Sequence, residues 1–122
     1  MDIRFVLDEH LRGQLSSALA RHNQRGAYPL DIVRVGDPVD LPHGTSDPDI
    51  LVWAERECRI LVSGDRKTLL GHFADHLTAG RHSPGLFLLR PSSPLPEIVD
   101  FLVAAAYASD ASEWTDVWRY IP

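Results

Sequence analysis

The stretch RILVSGD, residues 59–65, decides the fold of this chain. Ile60, Leu61 and Val62 form a short apolar run rich in β-branched residues, which predicts a buried strand. The run ends at Asp65, and the RKT that follows opens a stretch with helical spacing. A carboxylate placed where a strand gives way to a helix lies at the carboxyl edge of an α/β sheet, and ligands usually bind at this edge.

The sequence on either side predicts alternating strands and helices. Strands are predicted over residues 3–7, 30–35, 59–65, 86–89 and 116–122. Helices are predicted over residues 9–23, from Ser46 or Asp47 onward, over 66–79 and over 97–109, with a loop rich in proline and glycine over 36–48. This alternation predicts a three-layer α/β/α fold with a mostly parallel sheet of about five strands. The last strand is expected at a sheet edge because it ends in proline.

Length and composition limit the class of protein. A chain of 122 residues fits a single domain covering residues 1–122. Its apolar runs are too short for a membrane span and its amino terminus lacks the layout of a signal peptide, so we expect a cytoplasmic protein without a membrane partner. The formal net charge of −5 argues against a protein that coats nucleic acid. It does not exclude a nuclease, because a site rich in carboxylates is itself acidic and is offset by bound cations.

Four carboxylates are the candidates for chemistry. Asp8 and Glu9 follow the first predicted strand, Asp65 ends the third, and Asp47 opens the second helix. If the first and third strands are neighbours, these acids meet at one edge of the sheet, and their mutual repulsion would favour a bound divalent cation. Oxygen ligands select Mg²⁺ or Mn²⁺, and such ions activate water in phosphodiester hydrolysis.

Helix capping is the alternative interpretation of the same residues. Asp8, Asp47 and Asp65 each stand at the start of a predicted helix, where a carboxylate accepts hydrogen bonds from N–H groups that lack a partner in the helix. In that case no metal is needed.

The ordered set of FVLDEH, TSDPDILVWA, RILVSGD and TAGRHSPGLFLLR resembles a family of small bacterial PIN-like proteins related to PIN-domain ribonucleases. The resemblance covers nearly the whole chain. It implies a PIN-like fold and metal-dependent RNA cleavage, often by the toxin of a toxin–antitoxin pair. It also implies that Asp8, Asp47 and Asp65 hold the metal, with Glu9 assisting, and that the Ser63 hydroxyl orients Asp65 or a metal-bound water.

The chain departs from the family pattern directly after Asp65. Many relatives have a second acid two residues later, where this chain has Lys67. Lys67, together with Arg66 and Arg12, is a candidate contact for substrate phosphate, and a helix start also favours anions. Alternatively, Lys67 neutralises Asp65 and replaces the metal.

Two further functions stay open from the sequence. The first is a PIN-like module that binds RNA or protein without catalysis. The second is a receiver-like domain, which also places an acidic pair after its first strand and an aspartate after its third. Trp118 and Tyr120 share one face of the last predicted strand, which suggests a homodimer contact or a groove for an antitoxin protein.

Overall fold

Five parallel strands form one sheet in the computed structural model, which describes residues 3–11 and 13–122 apart from the side chain of His10. The strands are β1 (Arg4–Leu7), β2 (Ile32–Arg34), β3 (Arg59–Ser63), β4 (Leu86–Leu89) and β5 (Trp118–Ile121). Their order across the sheet is β2-β1-β3-β4-β5. All four neighbouring pairs are parallel. The predicted edge position of β5 is therefore confirmed.

Four helices cover the two faces of this sheet. They are α1 (Gln14–Gln24), α2 (Asp47–Glu57), α3 (Leu69–Thr78) and α4 (Leu95–Ala108). Helices α1 and α4 pack on one face, and α2 and α3 pack on the other. The predicted three-layer α/β/α fold is confirmed. None of the helices in the described part of the chain combines the length and the apolar character that a membrane crossing requires.

The sheet separates two apolar cores because successive side chains of a strand point to opposite faces. In β1, Phe5 and Leu7 enter the core under α1 and α4, whereas Val6 enters the core under α2 and α3. All three side chains are fully buried. Burial on both faces explains why the central strands read as nearly continuous apolar runs.

Two helices begin later than the sequence predicted. The helix expected over 9–23 is interrupted, because a short 3-10 helix (Glu9–Leu11) ends before Gly13, which adopts a φ of 85° ahead of α1. The helix expected from residue 66 begins at Leu69, because the Asp65 side chain holds the preceding residues in a turn. Strand β3 ends at Ser63 and not at Asp65, and the Asp65 N–H donates to the Ser63 hydroxyl oxygen.

The other boundaries differ by a few residues. Strand β2 is limited to Ile32–Arg34, and α4 begins two residues before the predicted start and ends at Ala108. Helix α2 begins as predicted: Ser46 is its N-cap, and the Ser46 hydroxyl accepts a hydrogen bond from the Asp49 N–H at 3.4 Å.

Replacing Cys58 with glycine should stabilise the protein. Cys58 follows the last residue of α2 with φ 55° and ψ 49°, a left-handed conformation in which its Cβ is strained. We expect the free energy of unfolding, measured with urea, to rise by about 0.5–1 kcal/mol in Cys58→Gly. Cys58→Ala is the control, because it removes the thiol and keeps the Cβ. Equal stabilities of the two variants would contradict the explanation.

Candidate functional site

The crevice between the carboxyl ends of β1 and β3 is the place where this topology favours a ligand. The two strands are neighbours in the sheet. The next strand along the chain, β2, pairs with β1 on the side away from β3. The connecting helices α1 and α2 lie on opposite faces, so their departure opens a crevice at this switch point. The same strand order occurs in flavodoxin-like doubly wound sheets.

Asp8 and Ser63 meet at this switch point, whereas the sequence had predicted a contact of Ser63 with Asp65 or a metal-bound water. Asp8 directly follows β1, and its N–H donates to the Val62 carbonyl of β3 at 2.9 Å. The Ser63 hydroxyl donates to Oδ2 of Asp8 at 2.8 Å. Asp8 is 5% exposed and Ser63 is fully buried. The described residues thus hold a buried carboxylate in one orientation through a hydroxyl of the neighbouring strand.

Asp65 joins this pair through its main chain, while its carboxylate caps the next helix. The Asp65 N–H donates to Oγ of Ser63 at 3.0 Å. Its Oδ1 accepts from the Lys67 and Thr68 N–H groups at 3.0 and 3.1 Å, and its Oδ2 accepts from the Thr68 hydroxyl at 2.6 Å. The Thr68 hydroxyl, and after it the Thr68 N–H, lower the pKa of the Asp65 carboxyl. The capping role considered for this residue is therefore present.

Removing this cap should destabilise the protein at neutral pH. We expect Asp65→Ala to lower the free energy of unfolding by about 1 kcal/mol, the usual cost of losing such a cap. Because the pKa of Asp65 is lower in the folded state, its ionic contribution is present above about pH 4 and is lost as the pH falls through the folded-state pKa.

The measurement is urea unfolding of the wild type and the variant at pH 7 and at pH 3. Asp65→Asn is the matched control, because it keeps a side-chain acceptor and loses the charge, so its cost should be smaller than that of Asp65→Ala. A cost of Asp65→Ala that grows on acidification would contradict this role.

Glu9 is turned toward the loop that precedes α2. Its two carboxylate oxygens lie 3.1 and 3.4 Å from the Gly44 N–H donor, and Oε2 lies 3.4 Å from Nδ1 of His43. The loop is anchored by Leu41, which is fully buried. The His43 ring lies against Gly36, where an added Cβ would be 2.2 Å from Cε1 of His43. His43 therefore belongs to the surroundings of the site, although the sequence did not single it out.

Asp47 lies at the first position of α2 and is partly buried, next to the Ser46 cap. Across residues 3–11 and 13–122, no three His, Cys, Asp or Glu side chains are grouped so as to hold a metal ion. The convergence predicted for Asp8, Asp47, Asp65 and Glu9 is thus incomplete in this arrangement. Asp8 and Asp65 are linked through Ser63, whereas Glu9 contacts the loop.

The predicted phosphate contacts lie partly beside this crevice. Arg66 and Lys67 directly follow Asp65, and both are exposed. Lys67 contacts the Asp65 carboxylate through its main-chain N–H, and within the described residues its ammonium forms no ion pair. Neutralisation of Asp65 by the Lys67 ammonium is therefore not observed. Arg12, the third predicted contact, lies outside the described residues.

Comparison with models of known protein families, with curated protein sequences and with solved structures found no match. The chemistry of the donor atoms at the switch point is then the relevant test for a metal. Asp8 and Asp65 offer only oxygen atoms, and Mg²⁺ is commonly bound by one or two carboxylates while water and substrate phosphate complete its shell. The two carboxylates therefore fit a Mg²⁺ or Mn²⁺ ion whose remaining ligands are water and substrate phosphate. They do not surround the ion with protein ligands alone.

Proposed function

We propose that this protein is a PIN-like endoribonuclease that depends on Mg²⁺ or Mn²⁺ and acts at the crevice between β1 and β3. One observation carries the proposal: the carboxylate of Asp8 is buried at the ligand-binding edge and is held there by Ser63 at 2.8 Å. Burying a carboxylate is costly unless its charge is compensated. A cation bound at this edge would supply that compensation.

In this proposal each residue has a distinct task. Asp8 and Asp65 hold the cation, and Asp47 at the start of α2 and Glu9 in the 3-10 helix after β1 remain predicted contributors. Ser63 is a positioning residue, because its hydroxyl donates a hydrogen bond to Asp8 and accepts one from the Asp65 N–H. The bound ion would supply an activated water and stabilise charge on the scissile phosphate.

Substrate and partners follow from the same proposal. Arg66 and Lys67 are exposed beside Asp65 and would contact RNA phosphates at the start of α3. An antitoxin protein or a second copy of the chain would use the edge strand β5. There the Trp118 and Tyr120 rings are 5.3 Å apart, and 41% of Trp118 is exposed.

A module that binds RNA or protein without catalysis is the second candidate. It is favoured by the hydrogen bonds that already occupy both carboxylate oxygens of Asp65 and direct Glu9 toward Gly44. In such a module the acids stabilise the turn after β3 and the loop before α2. Such a protein would bind its partner equally well with and without divalent cations.

A receiver-like domain is the third candidate, because its strand order is the one found here. Asp65 would be its phosphoacceptor. The single lysine of the chain, Lys67, stands after β3 and not after the last strand, where that chemistry needs it. Failure of beryllofluoride to change the Asp65 environment would remove this candidate.

Titration of Mn²⁺ into the protein at neutral pH, followed by calorimetry, tests the proposal without knowledge of the substrate. We expect Mn²⁺ to bind the wild type and to bind Asp65→Asn much more weakly. In a second assay, we expect only the wild type to cleave single-stranded RNA when Mn²⁺ is present. Absence of binding to the wild type would overturn the nuclease proposal. RNA binding that is independent of Mn²⁺ and without cleavage would then identify a binding module.

A further inference from the structure

A cavity of about 530 Å³ opens at the amino-terminal edge of the sheet, at the opposite ends of the strands from Asp8. Its walls come from the residues that precede or begin β1, β3 and β4 and from the short 3-10 helix (Ala111–Glu113). The apolar part of its lining is formed by Ile3, Ile60, Pro84 and Ala111. A cavity of this size and character is in the range of small-molecule sites.

The acidic residue in the cavity wall is already neutralised by its neighbours. Oε2 of Glu55 accepts a hydrogen bond from the His82 N–H at 3.2 Å. Oε1 of Glu55 lies 3.3 Å from the Arg81 guanidinium and 3.1 Å from Nε2 of His76. Glu55 therefore offers little attraction to a cationic ligand.

Two basic side chains in the wall retain capacity to donate. The Arg4 guanidinium donates to the carbonyl of Glu57, and among the described residues no carboxylate lies within ion-pair distance of it. The His82 ring uses Nδ1 to contact Oδ2 of Asp116 at 2.8 Å, which leaves Nε2 for a ligand. The hydrogen bond that the protonated ring donates to Asp116, and the negative charge of Asp116, raise the pKa of His82.

We propose that this cavity binds a small monocarboxylate with an apolar body, whose carboxylate contacts Arg4 and Nε2 of His82 while its apolar part lies against Ile3, Ile60 and Ala111. The planar guanidinium suits the two oxygens of a carboxylate. A single negative charge matches the Arg4 guanidinium, which has no carboxylate partner among the described residues, while His82, already paired with Asp116, contributes a donor. The apolar lining matches the rest of the ligand. This site is separate from the proposed nuclease site.

Cys58 provides the readout, because it lines the cavity, is exposed and is the only cysteine of the chain. Decanoate below its micellar concentration is the probe, with decanol and decylamine as neutral and cationic controls of equal length. We expect saturating decanoate to slow modification of Cys58 by a disulfide reagent at least fivefold and the two controls to have much less effect. Equal protection by decanol, or no protection by decanoate, would overturn the proposal.

Substitutions of Arg4 and His82 test whether these two residues contact the carboxylate of the ligand. We expect His82→Gln and Arg4→Gln each to weaken decanoate binding about tenfold or more in calorimetry, and Arg4→Lys to recover part of the loss. Thermal unfolding of each variant is measured first, because Arg4 lies in β1 and its replacement could disturb the fold. If Arg4→Gln does not fold, His82→Gln remains as the test, because His82 is exposed. Unchanged affinity in folded His82→Gln would contradict the assignment.

The pH dependence gives an independent test. The His82 ring contacts Asp116 before β5, and the negative charge of Glu55 of α2 also acts on it. The His82 main chain contacts Glu55 and His76 of α3, Arg81 precedes His82 and pairs with Glu55, and Arg4 lines the same cavity. Decanoate binding should weaken as the pH rises through the raised pKa of His82, because the protonated ring attracts the carboxylate. In His82→Gln this weakening should disappear. If the weakening with rising pH persists in His82→Gln, another group causes it and the proposed role of His82 is wrong.

Discussion

Asp8→Asn is expected to lower kcat/KM for metal-dependent RNA cleavage by about 1000-fold or more, equivalent to about 4 kcal/mol of transition-state stabilisation. The substitution removes the negative charge that would hold the cation. It keeps the size of the side chain, and its amide oxygen can still accept the hydrogen bond that the Ser63 hydroxyl gives to Asp8 at 2.8 Å. The measurement is the initial rate of RNA cleavage over a Mn²⁺ titration, with Mn²⁺ affinity measured in parallel by calorimetry.

The matched control for this variant is Asp75→Asn. Asp75 is exposed on α3, so the same chemical change there should leave cleavage and Mn²⁺ binding unaltered. Urea unfolding of both variants separates loss of function from loss of fold. Cleavage by Asp8→Asn at the wild-type rate would exclude Asp8 from the site. Loss of cleavage together with unchanged Mn²⁺ binding would assign Asp8 a role other than holding the metal.

The layers of the fold were predictable because each element carries its own periodicity. Apolar runs bounded by charged or turn residues identify the strands, as in residues 86–89, and the spacing of Leu69 and Phe73 identifies a helix. The exact ends were less predictable, because they depend on side-chain hydrogen bonds and on backbone conformation. The interruption at Gly13, with its φ of 85°, leaves no mark in the apolar pattern.

The site was predictable where it depends on strand ends. Asp8 and Ser63 come together because β1 and β3 are neighbours and parallel, which the sequence alone could support only as a condition. The direction of the Asp65 side chain was not predictable, because capping and metal binding use the same residue type at the same position. Only the contacts with Lys67 and Thr68 show that its oxygens face the start of α3.

Contacts between residues distant in sequence were missed. Glu9 accepts from the N–H of Gly44, and the His43 ring fills the space above Gly36, but no local pattern links these positions. The one feature in the sequence that could have indicated a close contact here is Gly36, directly after the second predicted strand. His76 is a second case, because its ring is buried against Glu55 of another helix and no local pattern links the two positions.

Phe87→Ala is expected to destabilise the protein by about 3–5 kcal/mol, a large share of the roughly 5–15 kcal/mol that holds a domain folded. Phe87 lies in β4, is fully buried, and has ring-centroid distances of 5.0 Å to Trp114, 5.5 Å to Phe101 and 6.2 Å to Phe5. Its loss leaves a cavity between α4 and the sheet that rigid neighbours cannot fill. Urea unfolding measures the cost. Phe101→Ala removes the same ring from a partly exposed position of the same cluster and should cost clearly less. An equal cost at both positions would show that burial does not determine the effect.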